Sequence, residues 1–132
     1  MHPQGILETC IYAEDLQAVE AFYRDVIGLQ FFSRKPDRHV FFRCGQAMFL
    51  IFNPRKTRVS GDPIPPHGAL GEGHVAFTIR PEDVDRWRAH LQAHHVEIES
   101  EVRWPSGGYS LYVRDPAGNS VELATADTWG TH

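Results

Sequence analysis

The hydrophobic pattern at the start of the chain changes from strand-like to helical and back. Residues 8–16 predict a strand that stops at an acidic pair, and the next segment predicts an amphipathic helix with its apolar residues on one stripe. Asp15 is placed to cap the first turn of this helix, and Gly28 is placed to end it. Short runs of β-branched and aromatic residues then predict strands at 29–34, 39–45 and 46–52.

The second half of the chain repeats this order of elements. Residues 74–79 predict a strand, and residues 81–96 predict a helix with apolar positions at helical spacing. Three further strand patterns follow at 97–102, 109–115 and 120–125. The repeat therefore predicts an α+β fold built from two tandem βαβββ modules.

The repeat also predicts the domain organisation. A single domain, residues 1–132, is expected to contain module 6–52 and module 74–126. The segment between them, 53–73, is rich in Gly, Pro and charged residues and predicts a linker loop, in which His67 is expected to be solvated. Each module is too small to bury an adequate core alone, so the two sheets are expected to pack side by side and leave a concave face between them.

Composition and charge exclude some classes of partner. The chain is 42% apolar and 23% charged, which is typical of a globular protein. Its 13 basic and 17 acidic residues give a net charge of −4, which argues against a nucleic-acid-binding surface. No apolar run approaches the roughly 18 residues of a membrane span, so no membrane association is expected. The absence of a signal-peptide pattern and of paired cysteines favours a cytoplasmic protein.

Three segments of the sequence resemble one known superfamily. They are AEDLQAVEAFYRDVIGL, the strand opening GHVAFTI, and the ending SLYVRDPAGNSVELA. Together they are similar to the vicinal oxygen chelate superfamily, which includes glyoxalase I, bleomycin resistance proteins, fosfomycin resistance enzymes and extradiol dioxygenases. The resemblance spans residues 6–125 and implies a glyoxalase-like fold, in which the two modules form a curved mixed β-sheet around a central cleft.

The resemblance implies a divalent metal ion held by the opening and closing strands of the modules. Carried over by position, its ligands are Glu8, His74 and Glu122. Aligning the two modules puts Phe49 opposite Glu122, and a benzyl side chain cannot bind a metal, so three ligands are implied rather than the four of glyoxalase I. Each ligand also has an ordinary structural interpretation: a solvent-exposed strand residue for Glu8, a structural histidine for His74, and a partnered buried acid for Glu122.

The ligand set indicates which metal ions fit. Two carboxylates and a neutral imidazole carry two negative charges, which cancel the charge of a divalent ion. Two oxygen donors and one nitrogen donor favour Mn²⁺, Mg²⁺ or Fe²⁺, with Zn²⁺ and Ni²⁺ as alternatives. The remaining coordination positions suit a substrate that chelates through two adjacent oxygens, on which the metal acts as a Lewis acid.

Other residues are candidates for contact with the substrate. His39, on a predicted strand, is a candidate catalytic acid or base, with an exposed strand histidine as the alternative. Ser110 aligns with a substrate-contacting serine of fosfomycin resistance enzymes, and Tyr112 has the same strand orientation. Aromatic residues are predicted either to line an apolar substrate pocket or to fill the core, and these are Phe49, Trp104 and Tyr109.

These features predict a metal-dependent enzyme of the lyase, isomerase or dioxygenase type that acts on a small oxygenated organic molecule. The alternative is a non-catalytic protein that sequesters a drug or metabolite, as bleomycin resistance proteins do, and it needs an aromatic groove but no metal. Each module exposes sheet edges that need cover, so a symmetric homodimer is also predicted.

Overall fold

Each half of the chain folds into its own four-stranded mixed β-sheet. In the computed structural model, which describes residues 1–59 and 63–130, the chain divides into two units, Met1–Gly71 and Glu72–His132. Residues 60–62 of the predicted linker and residues 131–132 of the predicted domain lie outside the described residues. The boundary between the units thus falls just before the second predicted module.

The N-terminal unit begins with a strand that pairs with the last strand of the same sheet. Its elements are β1 (Glu8–Tyr12), α1 (Leu16–Ala21), a π-helical turn (Phe22–Val26), β2 (Gln30–Lys35), β3 (His39–Cys44) and β4 (Ala47–Phe52). The strand order is β1-β4-β3-β2, with β1 parallel to β4 and the other neighbours antiparallel. This arrangement is one βαβββ module.

The first helix is shorter than its sequence pattern predicts. Asp15 caps it as expected, because its carboxylate accepts a hydrogen bond from the Ala18 amide at 3.1 Å. From Phe22 the backbone widens into the π-helical turn, in which the Ile27 amide donates to the Phe22 carbonyl at 3.1 Å. The wider turn buries consecutive aromatic residues. Gly28, at a φ of +86°, then ends the helical segment as predicted.

A short helix, α2 (Pro54–Thr57), lies in the segment predicted to be a loop. The Asn53 side-chain oxygen caps it by accepting a hydrogen bond from the Arg55 amide at 3.1 Å, and Pro54 occupies the first turn. The Asn53 side chain also donates to the Asp37 carbonyl at 2.9 Å, which ties the helix to the β2–β3 turn. The start of the predicted linker is therefore an ordered part of the N-terminal unit.

The C-terminal unit has the same topology. Its elements are β5 (His74–Ile79), a 3₁₀ turn (Pro81–Asp83), α3 (Val84–Ala93), β6 (Ser100–Arg103), β7 (Tyr109–Arg114), β8 (Ser120–Thr125) and a final 3₁₀ turn (Ala126–Trp129). The strand order is β5-β8-β7-β6, with β5 parallel to β8. The predicted α+β architecture of two βαβββ modules is therefore confirmed. No helix in the described part of the chain has the length and hydropathy needed to span a membrane.

The two faces of the C-terminal sheet differ in polarity, because side chains alternate along each strand. One face supplies core residues that are at most 1% exposed, and these are Leu111, Val113, Val121 and Leu123. Leu91 of α3 is fully buried as well. The intervening positions on β7 and β8 carry the polar residues Ser110, Tyr112 and Glu122.

A buried polar turn connects β7 to β8 and reaches the start of β5. The Asp115 carboxylate accepts hydrogen bonds from the Ala117 and Asn119 amides at 2.8 and 3.0 Å, and from the Asn119 side chain at 3.0 Å. The Asn119 side-chain oxygen in turn accepts from the Gly73 amide at 2.7 Å. This network fixes the residue that precedes the first position of β5.

Candidate functional site

The polar face of the C-terminal sheet brings together four of the predicted site residues. His74 is the first residue of the edge strand β5, and Ser110 and Tyr112 lie on β7. Glu122 on β8 is flanked in register by Ala76 of β5 and by Tyr112. Strand alternation and register therefore direct these four side chains to the same side of the sheet.

His74 and Glu122 face each other across the β5–β8 pair. The Nε2 atom of His74 lies 3.4 Å from Oε1 of Glu122, while its Nδ1 atom lies 3.1 Å from the Ser120 carbonyl oxygen. A carbonyl oxygen only accepts hydrogen bonds, so Nδ1 carries a proton and the Nε2 of the neutral ring presents a lone pair. Two electron-pair donors thus face each other, and a proton or a metal cation between them makes the contact favourable.

The second oxygen of Glu122 is held by a chain of hydrogen bonds. The Ser110 hydroxyl donates to Oε2 at 2.5 Å, and the Trp104 indole N–H donates to the Ser110 oxygen at 2.8 Å. Ser110 is fully buried and Glu122 is 7% exposed. The carboxylate is therefore fixed on one side and presents Oε1 on the other.

Tyr112 contributes to the same cluster. Its ring stacks over His74, with centroids 6.5 Å apart and planes 22° apart. Burial raises the pKa of Tyr112, and the negative charge of Glu122 raises that pKa further. The phenol is therefore neutral at physiological pH and does not add charge next to Glu122.

Two of the predicted pocket residues lie on the other sides of their sheets. The Tyr109 hydroxyl donates to the Glu101 carboxylate at 2.8 Å and belongs to an ion-pair cluster with Arg88 of α3. Phe49 is 2% exposed, and its ring centroid lies 5.1 Å from that of Tyr23 in the core of the N-terminal unit. Tyr109 precedes Ser110 on β7 and therefore points to the opposite face of the sheet. Phe49 lies between the β4 positions that share the face of Glu8, so its side chain points away from that face.

Glu8 occupies the place in the N-terminal unit that His74 occupies in the C-terminal unit. Each is the first residue of an edge strand that runs parallel to the last strand of its sheet. Glu122 pairs with the third residue of β5, whereas the third residue of β1 pairs with Leu50. The register thus makes Leu50, rather than Phe49, the counterpart of Glu122. Both side chains are apolar, so a fourth ligand is still missing at this position.

His39 lies in an aromatic cluster of the N-terminal unit. Its ring stacks on Phe41 with centroids 3.9 Å apart and planes 7° apart. The Arg38 guanidinium lies 2.6 Å from Nδ1 and only donates hydrogen bonds, so the proton of the neutral ring is on Nε2. Burial lowers the pKa of His39, and the positive charges of Arg38 and Lys35 lower it further.

We expect an NMR titration of the His39 ring to give a pKa below the ordinary value of 6.5. Since folding opposes protonation of this ring, the stability that it contributes is lost as pH falls from 6.5 toward the lowered pKa. Arg38→Gln should raise the pKa, because it removes one of the two positive charges. The control Lys56→Gln, on α2, should leave it unchanged. A His39 pKa of 6.5 or above in the unmodified protein would contradict this electrostatic account.

The structure also reveals a contact that sequence patterns did not predict. His67, expected to be solvated, is half-buried, and this expectation is wrong. Its Nδ1 atom lies 2.7 Å from the Tyr12 hydroxyl, and its ring centroid lies 4.7 Å from that of Phe52. Burial and the neighbouring Cys10 raise the pKa of Tyr12 to about 12, so the phenol stays protonated and can donate. The partners are 55 residues apart, and no local motif indicates their contact.

The predicted metal ligands are distributed over both units. Glu8 belongs to the N-terminal unit, and the His74–Glu122 pair belongs to the C-terminal unit. Within residues 1–59 and 63–130, no group of three or more His, Cys, Asp or Glu side chains is arranged to hold a metal ion. The contact between His74 and Glu122 is therefore the part of the predicted ligand set that the structure brings together.

Comparison with known protein families identifies the fold. The model of the Glyoxalase/Bleomycin resistance protein/Dioxygenase superfamily matches residues 5–123. The chain belongs to this superfamily. The resemblance found in the sequence motifs is thereby confirmed. Members of the superfamily include lyases, oxidases and fosfomycin-modifying enzymes, and they typically use divalent metal ions.

Solved structures of other proteins agree with this assignment. One structure, described as lactoylglutathione lyase from Agrobacterium tumefaciens, is 46% identical to the present chain. The match covers 98% of each chain, with a TM-score of 0.93. A glyoxalase/bleomycin resistance protein/dioxygenase from Nocardioides is 22% identical, with 95% of this chain and 85% of that chain covered and a TM-score of 0.74. The fosfomycin resistance protein FosX from Listeria monocytogenes is 23% identical, with 92% and 91% covered and a TM-score of 0.70. The last two similarities show the fold alone.

Proposed function

We propose that this superfamily member is a divalent-metal-dependent enzyme of the lyase type that acts on a small oxygenated organic substrate. In this proposal His74 and Glu122 hold the metal, and Glu8 is the third ligand. The relative described as a lactoylglutathione lyase, at 46% identity over 98% of both chains, supports lyase chemistry. A cytoplasmic location and a symmetric homodimer belong to the same proposal.

The arrangement of His74 and Glu122 carries the proposal. Two ligand atoms about 2.1 Å from one metal ion lie about 3.0–3.4 Å apart when the angle between them is near that of an octahedral or tetrahedral site. The observed separation of Nε2 and Oε1 is 3.4 Å. The hydrogen bond of Nδ1 to a backbone carbonyl is the outer contact that metal-binding histidines commonly make. The donor set therefore fits a divalent ion.

The charges of the ligands define the chemistry. Glu8 and Glu122 with a neutral His74 would balance the charge of a divalent ion, which would act as a Lewis acid on adjacent substrate oxygens. The lactoyl group in the relative's name carries a hydroxyl beside a carbonyl, and such a pair of oxygens suits this site. Lactoylglutathione is therefore the first compound to test as a substrate.

The remaining residues hold or exchange protons. Ser110 holds the Glu122 carboxylate in place by donating its hydroxyl hydrogen to one carboxylate oxygen. Tyr112 keeps its own phenolic proton because its pKa is raised. We assign His39 as the acid or base that exchanges a proton with the substrate through Nε2, the ring nitrogen that does not face Arg38.

The direct test is a metal assay on the unmodified protein. Protein purified without chelators should contain close to one equivalent of divalent metal by elemental analysis. After chelator treatment, adding Mn²⁺, Fe²⁺, Ni²⁺ or Zn²⁺ should raise the melting temperature, because a ligand that binds only the folded state stabilises it. Mg²⁺ should act at higher concentration. If the protein holds no metal and none of these ions raises its melting temperature, the proposed function is wrong, and a metal-free binding protein becomes the better interpretation.

A further inference from the structure

The hydrogen-bond chain behind Glu122 has a fixed direction. An indole N–H is only a donor, so the Ser110 oxygen must accept from Trp104. The single hydroxyl hydrogen of Ser110 is then available for Oε2 of Glu122, which lies at the 2.5 Å distance of a charge-assisted hydrogen bond. Trp104 thereby sets the rotation of the Ser110 hydroxyl, and Ser110 sets the rotation of the carboxylate.

The two oxygens of Glu122 are consequently not equivalent. Oε2 is occupied by a short hydrogen bond inside the sheet, whereas Oε1 lies 3.4 Å from Nε2 of His74. Ser110 is completely buried, so water does not compete for its hydroxyl. The Tyr112 phenol also hydrogen-bonds to this carboxylate, and Oε1 is the oxygen that faces an ion beside His74.

We propose that Ser110 and Trp104 are positioning residues that make Glu122 a one-oxygen ligand and so select the metal ion. The inference rests on the proposed function, because it concerns the metal that His74 and Glu122 would hold. Ca²⁺ favours more oxygen ligands and often takes both oxygens of a carboxylate, whereas Mn²⁺ and Zn²⁺ accept fewer ligands at shorter distance. Holding Oε2 on Ser110 therefore disfavours Ca²⁺ relative to Mn²⁺. Ser110 in this role does not contact the substrate.

The test compares the affinities for Mn²⁺ and Ca²⁺ by titration calorimetry on chelator-treated full-length protein. Ser110→Ala should weaken Mn²⁺ binding by about 10–100-fold, the range for losing an outer contact to a metal ligand. It should weaken Ca²⁺ binding much less, because the released carboxylate can turn to offer both oxygens. The affinity for Mn²⁺ divided by that for Ca²⁺ should therefore fall, by up to about 100-fold.

Three further variants separate positioning from folding. Ser110→Thr keeps a hydroxyl and should restore the ratio, whereas Trp104→Phe keeps a ring but loses the N–H and should give an intermediate ratio. Thr57→Val removes a buried hydroxyl of the N-terminal unit and should leave the ratio unchanged. The melting temperature of each metal-free variant reports whether it has folded.

The outcomes separate this inference from the proposed function. A ratio that falls in Ser110→Ala and returns in Ser110→Thr supports the positioning role. Equal loss for both ions, or no loss for either, overturns the positioning role while leaving the metal proposal intact. If the unmodified protein binds neither ion, both the proposed function and the positioning role fall.

Discussion

Glu122→Gln is expected to reduce the affinity for Mn²⁺ or Zn²⁺ by at least about 100-fold. Losing an outer contact to a metal ligand costs up to about 100-fold, and Glu122 is proposed as a ligand itself. The amide has nearly the same shape as the carboxylate, but it lacks the charge that balances the ion. The side chain is 9% exposed and its Oε1 lies 3.4 Å from Nε2 of His74, so the substitution acts directly at the proposed ligand position. Titration calorimetry and the metal content after chelator-free purification both measure this loss.

Two other substitutions control for the effect of charge. Glu101→Gln removes a carboxylate of the same sheet that instead binds Arg88 and Tyr109, and it should leave metal binding unchanged. Glu8→His should retain metal binding but make the ligand set one charge more positive, and it should favour Zn²⁺ or Fe²⁺ over Mn²⁺. If Glu122→Gln and Glu8→His both keep the metal content and the metal preference of the unmodified protein, neither side chain is a ligand.

Asn119→Ala is expected to lower the free energy of unfolding by about 3 kcal/mol, since leaving one buried polar group unsatisfied costs about 1–3 kcal/mol. Asn119 is 1% exposed and bonds both to the Asp115 carboxylate and to the Gly73 amide. Its truncation leaves the buried Asp115 carboxylate and the Gly73 amide without these partners. Urea unfolding followed by circular dichroism measures the change.

The matched control for this prediction is Ser106→Ala. Its exposed hydroxyl donates to the Thr128 carbonyl in the final 3₁₀ turn, and its loss should change stability by less than about 0.5 kcal/mol. A loss below about 1 kcal/mol for Asn119→Ala would mean that water or a rearranged turn satisfies the Asp115 and Gly73 groups. The metal affinity should fall together with stability, because Gly73 directly precedes His74.

Sequence patterns predicted the fold because each half of the chain repeats the same order of strand and helix patterns, with local signals at the helix ends. Strand β5 begins and ends at the predicted residues, 74 and 79, and the cap at Asp15 and the stop at Gly28 lie where predicted. The segment DPAGN belongs to one of the motifs that resemble the superfamily, and the structure shows its physical role. Asp115 organises the turn, and Asn119 accepts a hydrogen bond from the amide of Gly73, the residue before β5. Both side chains are therefore used at that spacing.

Features that depend on contacts between residues far apart in the sequence could not be predicted from local patterns. The contact of Tyr12 with His67 spans most of the N-terminal unit and leaves no periodic signal. The alignment of the two modules was displaced by one residue, which exchanged Leu50 for Phe49, and a shift of one residue moves a strand side chain to the opposite face. The chain from Trp104 through Ser110 to Glu122 likewise depends on the register of β7 and β8, which sequence alone did not provide.

The pairing of the first strand of each unit with its last strand has a consequence for the order of folding. Glu8 pairs with Met48 and His74 pairs with Ser120, whereas the neighbouring strands in each sheet are joined by short connections. Closing a long stretch of chain costs more entropy than forming a hairpin, so distant pairings form more slowly. We therefore expect the strands that carry Glu8 and His74 to join sheets whose hairpins have already formed. A metal ion bound by these residues would act on the closing step of folding, and each half of the ligand set would exist only once its own sheet is complete.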